Sequence, residues 1–286
     1  MKIMVTGATG QQGGAVLAAL QGKGHELVAL TRNPDSEKAG KLAAHGVQLV
    51  KGDFQDRSAL TAAFRTIDAL FLVGTPYETG PEDETRQGIN AVDAAKQAGV
   101  GYVVYSSVSD ADRKTGIPHF DSKYFVEEHL RQSGVPSAIL APVFFYDNMM
   151  AFFVLPGLQK GVLALGMPAD VELQGISVKN VGEMHALALQ NRDSFQGKRI
   201  NLAGDSLTGT QYAAEISKAS GRKIGYQEVP LETVRESSED FAAMYDWFTK
   251  VGYSADIAGL KRDYRDVAWE SFAEWAARQD WSVLDE

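Results

Sequence analysis

Residues 1–14 read MKIMVTGATGQQGG, and the reading of this stretch decides the fold. Residues 2–6 form a short apolar run that suits a buried strand. Gly7, Gly10 and Gly13 follow at GxxGxxG spacing. Residues 12–20 then read as a helix, with Val16, Leu17 and Leu20 on its apolar side. Glycines at the joint allow a tight turn and let the backbone come close to a ligand. The helix start adds unpaired N–H groups and the positive end of the helix dipole. A strand, a glycine turn and a helix N-terminus in that order make a site for a dinucleotide pyrophosphate. On this reading Gly7, Thr9, Gly10, Gln11, Gln12 and Gly13 form a cofactor cradle. The competing reading is a glycine turn needed only for close packing.

The alternation continues through the first half of the chain. Strands are expected over 25–32, 47–53, 68–74, 101–107 and 136–142. Helices are expected over 36–46, 58–67 (with Ser58 as N-cap), 84–99 and 119–134. This is the pattern of a parallel, doubly wound sheet. The second half is less regular. Residues 144–161 are rich in aromatic residues and methionine, and read as helical up to Pro156. A strand or loop entering a helix is expected over 175–191, a strand over 198–204, and a helix over 206–221 capped near Thr208 or Thr210. A short strand over 224–230 precedes a helical remainder with turns at Gly252 and Gly259. The expected fold class is α/β: a Rossmann doubly wound parallel sheet with a smaller, partly interwoven α/β C-terminal lobe. The nucleotide-binding domain is expected over 1–150, with 175–204 returning to it, and a substrate or partner lobe over 151–286.

Composition narrows the classes. The 286 residues are 44% hydrophobic and 23% charged, with a net charge of −9. That balance suits a globular chain and argues against direct nucleic-acid binding. The absence of cysteine excludes disulfides, thiolate metal sites and cysteine nucleophiles. His25, His45, His119, His129 and His185 make no HxH or HxxxH pair, so no metal site is expected. With the first strand starting at Lys2 no signal peptide is expected, and no apolar run reaches the ~18 residues of a membrane span. A cytoplasmic protein with no membrane contact is expected.

The end of the second strand bears on which nucleotide binds. NAD-preferring sites of this kind carry an acid there, on the ribose hydroxyls. Here the chain reads Leu30–Thr31–Arg32–Asn33, without an acid. Arg32 attracts a 2′-phosphate that an acid would repel, so NADP(H) is expected over NAD(H). The alternative is a solvated loop cation, and Lys51 is either an assistant or a surface residue. Asp53, with Phe54 beside it, is placed to face the adenine, or else caps a turn into Gln55–Asp56. Gly74, Thr75 and Pro76 follow the fourth strand and are expected over the middle of the cofactor, because ligands bind beyond the C-terminal ends of parallel strands.

Four segments carry a family resemblance: GATGQQGGAV (7–16), LTRNP (30–34), VVYSS (103–107) and HFDSKYFVEEHLRQSGVPSAILAPVFFYDNM (119–149). Together the chain resembles the NmrA-like group of atypical short-chain dehydrogenases/reductases over nearly its whole length. The resemblance implies a Rossmann fold and an NADP(H) site. That group holds redox sensors and transcription coregulators as well as isoflavone, phenylcoumaran, triphenylmethane and quinone reductases, so enzyme and sensor both stay open. Standard members of the wider superfamily use a serine, a tyrosine and a lysine, the last two as YxxxK. Lys123 matches the lysine, and Ser106 and Ser107 fall where the serine would be. His119 stands where the tyrosine would. Lys123 acts alone or through water, or His119 replaces the phenol as proton donor, or both only bind cofactor. Helical spacing puts His119 and Lys123 one turn apart on one face. Tyr124 points about 100° away and is taken as packing.

Pro142, Phe144, Phe145 and Tyr146 are expected to wall the nicotinamide. Met149, Met150, Phe152 and Phe153 suit an apolar pocket or an ordinary core. Tyr245, Trp247, Phe248 and Tyr253 cover that pocket or mark a subunit interface. The expected function is hydride transfer from NADPH to a small apolar acceptor such as a quinone, enone, imine or dye. The alternative is a non-catalytic NADP(H) sensor acting through a protein partner, and homodimerisation is left open.

Overall fold

A computed structural model describes residues 1–285. Strands and helices alternate strictly at first: β1 (Lys2–Val5), α1 (Gln11–Leu20), β2 (Glu26–Thr31), α2 (Glu37–Ala44), β3 (Gln48–Lys51), α3 (Arg57–Phe64), β4 (Ala69–Leu72), α4 (Pro81–Ala98), β5 (Tyr102–Ser106), α5 (Pro118–Ser133) and β6 (Ser137–Pro142). Local chemistry sets the helix ends. The Ser36 side chain accepts from Ala39 N at the start of α2. Asp56 does the same for Ala59 N at α3, so the cap is Asp56 and not Ser58. Glu82, Asp83 and Glu84 follow Pro81 in the first turn of α4, where acids complement the helix dipole, and Gly99 ends that helix in the left-handed region.

After β6 the chain continues through β7 (Phe144–Phe145), a 3₁₀ turn (Tyr146–Met150), α6 (Leu155–Gln159), β8 (Val162–Leu165), β9 (Glu172–Ile176), α7 (Val178–Gln190), α8 (Arg192–Phe195) and β10 (Arg199–Leu202). It ends with β11 (Asp205–Thr208), α9 (Gly209–Ser220), β12 (Gly225–Glu228), α10 (Leu231–Ser237), α11 (Glu239–Lys250), α12 (Ile257–Asp263), α13 (Phe272–Ala277) and a 3₁₀ turn (Trp281–Leu284). Two compact units result. The first is Met1–Lys114, Pro118–Ala141 and Val181–Ile200; the second is Thr115–Ile117, Pro142–Asn180 and the chain from Asn201 onward.

The main sheet has the order β10-β6-β5-β4-β1-β2-β3. The ladders from β6 through β3 are all parallel. The chain winds outward from β1 through β2 to β3, then returns to β4 and winds the other way through β5 to β6. The direction reverses between β1 and β4, and the crevice at their C-terminal ends is where such sheets take ligands. Every residue of β4 is buried, as a strand covered on both faces must be. Phe64, Leu70, Val103 and Tyr105 belong to one apolar cluster on this sheet.

In the second unit a three-stranded sheet has the order β11-β9-β7, and β12 pairs with β8. Residues 144–161 do not form the expected helix. Phe144 and Phe145 pair with Gly175 and Ile176 as a short strand. Pro156 lies in the first turn of α6 instead of ending a helix, a position where its missing N–H costs nothing. Tyr146 is core, not pocket wall: it is fully buried, 5.2 Å from the Phe272 ring, and burial pushes its phenol far up. Trp247 and Phe248 are likewise buried within the chain, with the Tyr253 ring 5.7 Å and 4.9 Å from theirs. Among the described residues, no helix is long and apolar enough to cross a membrane.

His185 on α7 is fully buried, with its ring edge-on to Phe71 at 5.0 Å. Its Nδ1 lies 2.7 Å from the Val181 carbonyl oxygen, which can only accept, so Nδ1 carries the proton. Nε2 is buried with no partner, and a proton added there would be a buried donor without an acceptor. Burial accordingly lowers its pKa to about 4 from 6.5. Stability held by neutral His185 is complete above pH 6.5 and is lost as pH falls toward 4. In urea titrations His185→Gln is expected to be less stable than the native chain at neutral pH. Below pH 6.5 that gap is expected to shrink by up to about 1.4 kcal/mol per pH unit. A gap independent of pH would show that His185 does not titrate in this way.

Candidate functional site

The first unit builds one site at the C-terminal ends of β4, β1 and β2. Thr6 is buried, and its Oγ1 accepts from Val73 N at 2.9 Å, tying the end of β1 to the end of β4. The chain then turns through Gly7 at φ +57°, and Gly10 N donates to Gly7 O at 2.9 Å. A Cβ at Gly13 would stand 2.5 Å from the Gly7 carbonyl carbon, so α1 can sit this close to the turn only with glycine there. Gly10 is the N-cap of α1 and no side chain caps that end. The first turn carries no acid, and Gly7, Gly10 and Gln11 are exposed while Thr9 is half-buried. This open, uncapped helix start at a glycine turn fits a pyrophosphate. Gln12 faces inward, where its Oε1 accepts from Ser106 Oγ at 2.6 Å.

Arg32, just past β2, forms a two-pronged pair with Glu78: Nη1 lies 2.6 Å from Oε2 and Nη2 lies 2.9 Å from Oε1. The hydrogen bonds hold the guanidinium pKa up and the Glu78 carboxyl pKa down. Asp53 Oδ1 accepts from Gln55 N at 2.9 Å, which closes a turn after β3. Phe54 packs on the apolar cluster, and its carbonyl accepts from Asn90 Nδ2 at 3.1 Å. Thr75 is exposed and Pro76 buried, and the Pro76 carbonyl accepts from Gly80 N at 2.8 Å.

Lys123 is 9% exposed and Glu84 1%. Lys123 Nζ forms a short ion pair with Glu84 Oε1 and reaches the Gly74 carbonyl at 3.5 Å. Glu84 Oε2 also accepts from Ser122 Oγ at 2.5 Å. A Cβ at Gly74 would lie 3.2 Å from both Cγ and Oε1 of Glu84, so this glycine leaves room for the carboxylate. His119 is buried in the first turn of α5, with its ring 4.8 Å from Phe120 and 6.3 Å from Tyr77. One turn beyond Lys123, Glu127 is fully buried and accepts from Ser107 Oγ in a short bond. Arg131 Nη2 at 2.8 Å and Arg199 Nε at 2.9 Å complete its surroundings. Tyr105 is buried among these groups; burial and the charges of Glu84 and Glu127 push its pKa well up, so its phenol stays neutral.

The structure therefore brings together Gly7, Gly10, Gln12, Gly13, Ser106, Gly74 and Lys123, with His119 on the same helix face as Lys123. It ties Asp53 and Phe54 into a turn and the core. Pro142 closes β6, while Phe144 and Phe145 form β7 in the second unit. Three acids are partners that a linear reading does not find: Glu84, Glu127 and Glu78. The one signal in the sequence is general. A lysine facing the core needs a carboxylate, but nothing local says which.

A doubly wound parallel sheet with an uncapped glycine-rich helix start at its reversal point defines a dinucleotide-binding Rossmann protein. The chain matches the NmrA-like family over residues 1–277 and belongs to that family. It is 33% identical over 264 residues to quinone oxidoreductase 2 of Escherichia coli (strain K12), covering 91% of this chain and 86% of that one. The E. coli NADPH-dependent quinone oxidoreductase solved in complex with NADPH has the same fold. Its TM-score is 0.82 at 28% identity, over 97% of this chain and 99% of that one. The negative transcriptional regulator Nmra, solved with NAD, shares the fold at TM-score 0.82 and 21% identity, over 98% of each chain. The family thus holds NAD(P)H-dependent oxidoreductases together with regulators.

Removing the charge of Glu84 leaves Lys123 buried without its counter-ion. Glu84→Gln is expected to lower the unfolding free energy by about 3 kcal/mol in urea titrations. Adding Lys123→Met to it is expected to recover most of that loss, because both charges then leave together. Additive losses in the double variant would mean that the two side chains are not coupled.

Proposed function

We propose that the protein is an NADPH-dependent oxidoreductase that passes hydride to a small apolar acceptor such as a quinone, an enone, an imine or a dye. The observation that carries this reading is Lys123: a buried cation held by Glu84 beside Gly74, at the end of β4 where the sheet reverses. Kinship with a quinone oxidoreductase at 33% identity supports it. The nicotinamide, when bound, supplies the hydride. The N-terminus of α1 and the backbone of the glycine turn bind the pyrophosphate, and Arg32 binds the 2′-phosphate. Lys123 holds the ribose of the reactive half and adds positive charge where the acceptor gains negative charge. Glu84 fixes the direction of that ammonium. His119, one turn back, is the remaining candidate for moving a proton.

One observation favours the sensor reading. The Ser106 and Ser107 hydroxyls donate to Gln12 and Glu127, so neither is offered to a substrate. A sensor needs only the cofactor contacts and a surface that changes with them.

The first test is NADPH oxidation, followed at the reduced-nicotinamide absorbance band, with quinones, enones, imines and triarylmethane dyes. Lys123→Ala is expected to lower kcat/KM by about 100-fold; full activity in that variant would move the chemistry to His119. Absence of turnover with every acceptor, despite tight NADPH binding, would favour the sensor. Independently, Arg32→Ala is expected to weaken NADPH by about tenfold in calorimetric titrations and leave NADH unchanged. Equal effects on both nucleotides would remove Arg32 from 2′-phosphate recognition.

A further inference from the structure

The Arg32–Glu78 pair has the geometry by which a guanidinium grips a phosphate. Both prongs are in use, at 2.6 Å and 2.9 Å, and carboxylate and phosphate oxygens compete for the same fork. The partners are 46 residues apart in sequence. Arg32 follows β2 and Glu78 follows β4, the two strands that flank β1. The pair therefore bridges the end of β1, from which the glycine turn departs. Its side chains are 63% and 50% exposed. At that exposure a carboxylate can leave its partner for water at small cost, which a buried pair could not do. The Glu78 segment also carries Tyr77, whose ring lies 6.3 Å from that of His119.

We propose that Glu78 is a resident competitor for the 2′-phosphate contact at Arg32, and that it thereby sets the preference between NADPH and NADH. The 2′-phosphate takes over the guanidinium fork and Glu78 moves to solvent. NADH has no group to replace Glu78, so the pair stays closed when NADH binds. Glu78 thus weakens NADPH alone and keeps the site receptive to both nucleotides. The proposal rests on the reading that Arg32 meets the 2′-phosphate.

The test is calorimetric titration of the cofactor-free protein with NADPH, NADH and 2′,5′-ADP, a fragment that carries the 2′-phosphate without the nicotinamide half. Glu78→Gln and Glu78→Ala are expected to bind NADPH and 2′,5′-ADP about three- to fivefold more tightly, with NADH unchanged. Unchanged or weaker NADPH binding in both variants, with Arg32→Ala still losing NADPH affinity, would overturn the proposal and leave the Arg32 reading standing. Equal tightening of NADPH and NADH would also overturn it, because the effect would then be on access and not on the 2′-phosphate. Native NADPH affinity in Arg32→Ala would defeat the Arg32 reading, and the competitor proposal with it.

Discussion

Two charges four residues apart on α5, Lys123 and Glu127, are buried, and the first unit is arranged to meet them. Such a pair on one helix face could neutralise itself. Here neither relies on the other: Lys123 is met by Glu84 of α4, and Glu127 by Ser107 after β5, Arg199 at the start of β10 and Arg131 one turn further along α5. A buried charge without a partner costs more than an ordinary contact returns, so these partners are requirements of folding and not decoration. They fix α4 and α5 against each other and bring the ends of β4 and β5 to one place. The site inherits its rigidity from that arrangement. The ammonium of Lys123 has few directions left between the Gly74 carbonyl and Glu84, whose other carboxylate oxygen is held by Ser122.

The features legible in the sequence are those written in consecutive residues. Gly7, Gly10 and Gly13 with their flanking strand and helix, Arg32 in place of an acid, and Lys123 four residues after His119 are all local patterns. Their partners are not local. Glu84 lies 39 residues from Lys123, Glu78 lies 46 from Arg32, and Arg199 lies 72 from Glu127. With 37 acids in the chain, composition does not single out three. Residues 144–161 mislead for another reason. Their aromatic and methionine content suits helix and strand equally, and pairing of Phe144 and Phe145 with β9 decides it. Pro156 reads as a terminator, yet a proline serves as well in a first turn. Tyr146 looks like a pocket residue because its environment, the rings of Phe272 and Trp275, lies over a hundred residues further along the chain.

The frame does not separate the enzymes of this family from its regulators, because a quinone oxidoreductase solved with NADPH and the regulator Nmra solved with NAD share the same fold. A fold supplies a place for the cofactor, and the side chains around it decide whether a reaction takes place there. In this chain those side chains are mostly committed. Ser106 serves Gln12, Ser107 serves Glu127, and Tyr105 is a buried phenol kept neutral by burial and by two carboxylates.

That commitment bears on the proposed acceptor. Reducing an isolated ketone puts full negative charge on one oxygen, and a donor must deliver a proton there as the hydride arrives. The superfamily's tyrosine does so, and His119 stands in its place. A quinone spreads the charge it gains over a ring, and an enone spreads it over a conjugated chain. A triarylmethane cation gains no negative charge at all. For a quinone or an enone a fixed cation meets the delocalised charge, for the triarylmethane cation no such charge needs meeting, and in each case prompt proton delivery matters less. A site with a held ammonium and its hydroxyls turned inward is therefore better matched to delocalised acceptors than to simple carbonyls. On the proposed reading, the loss of the phenol narrows the substrate class instead of ending the chemistry.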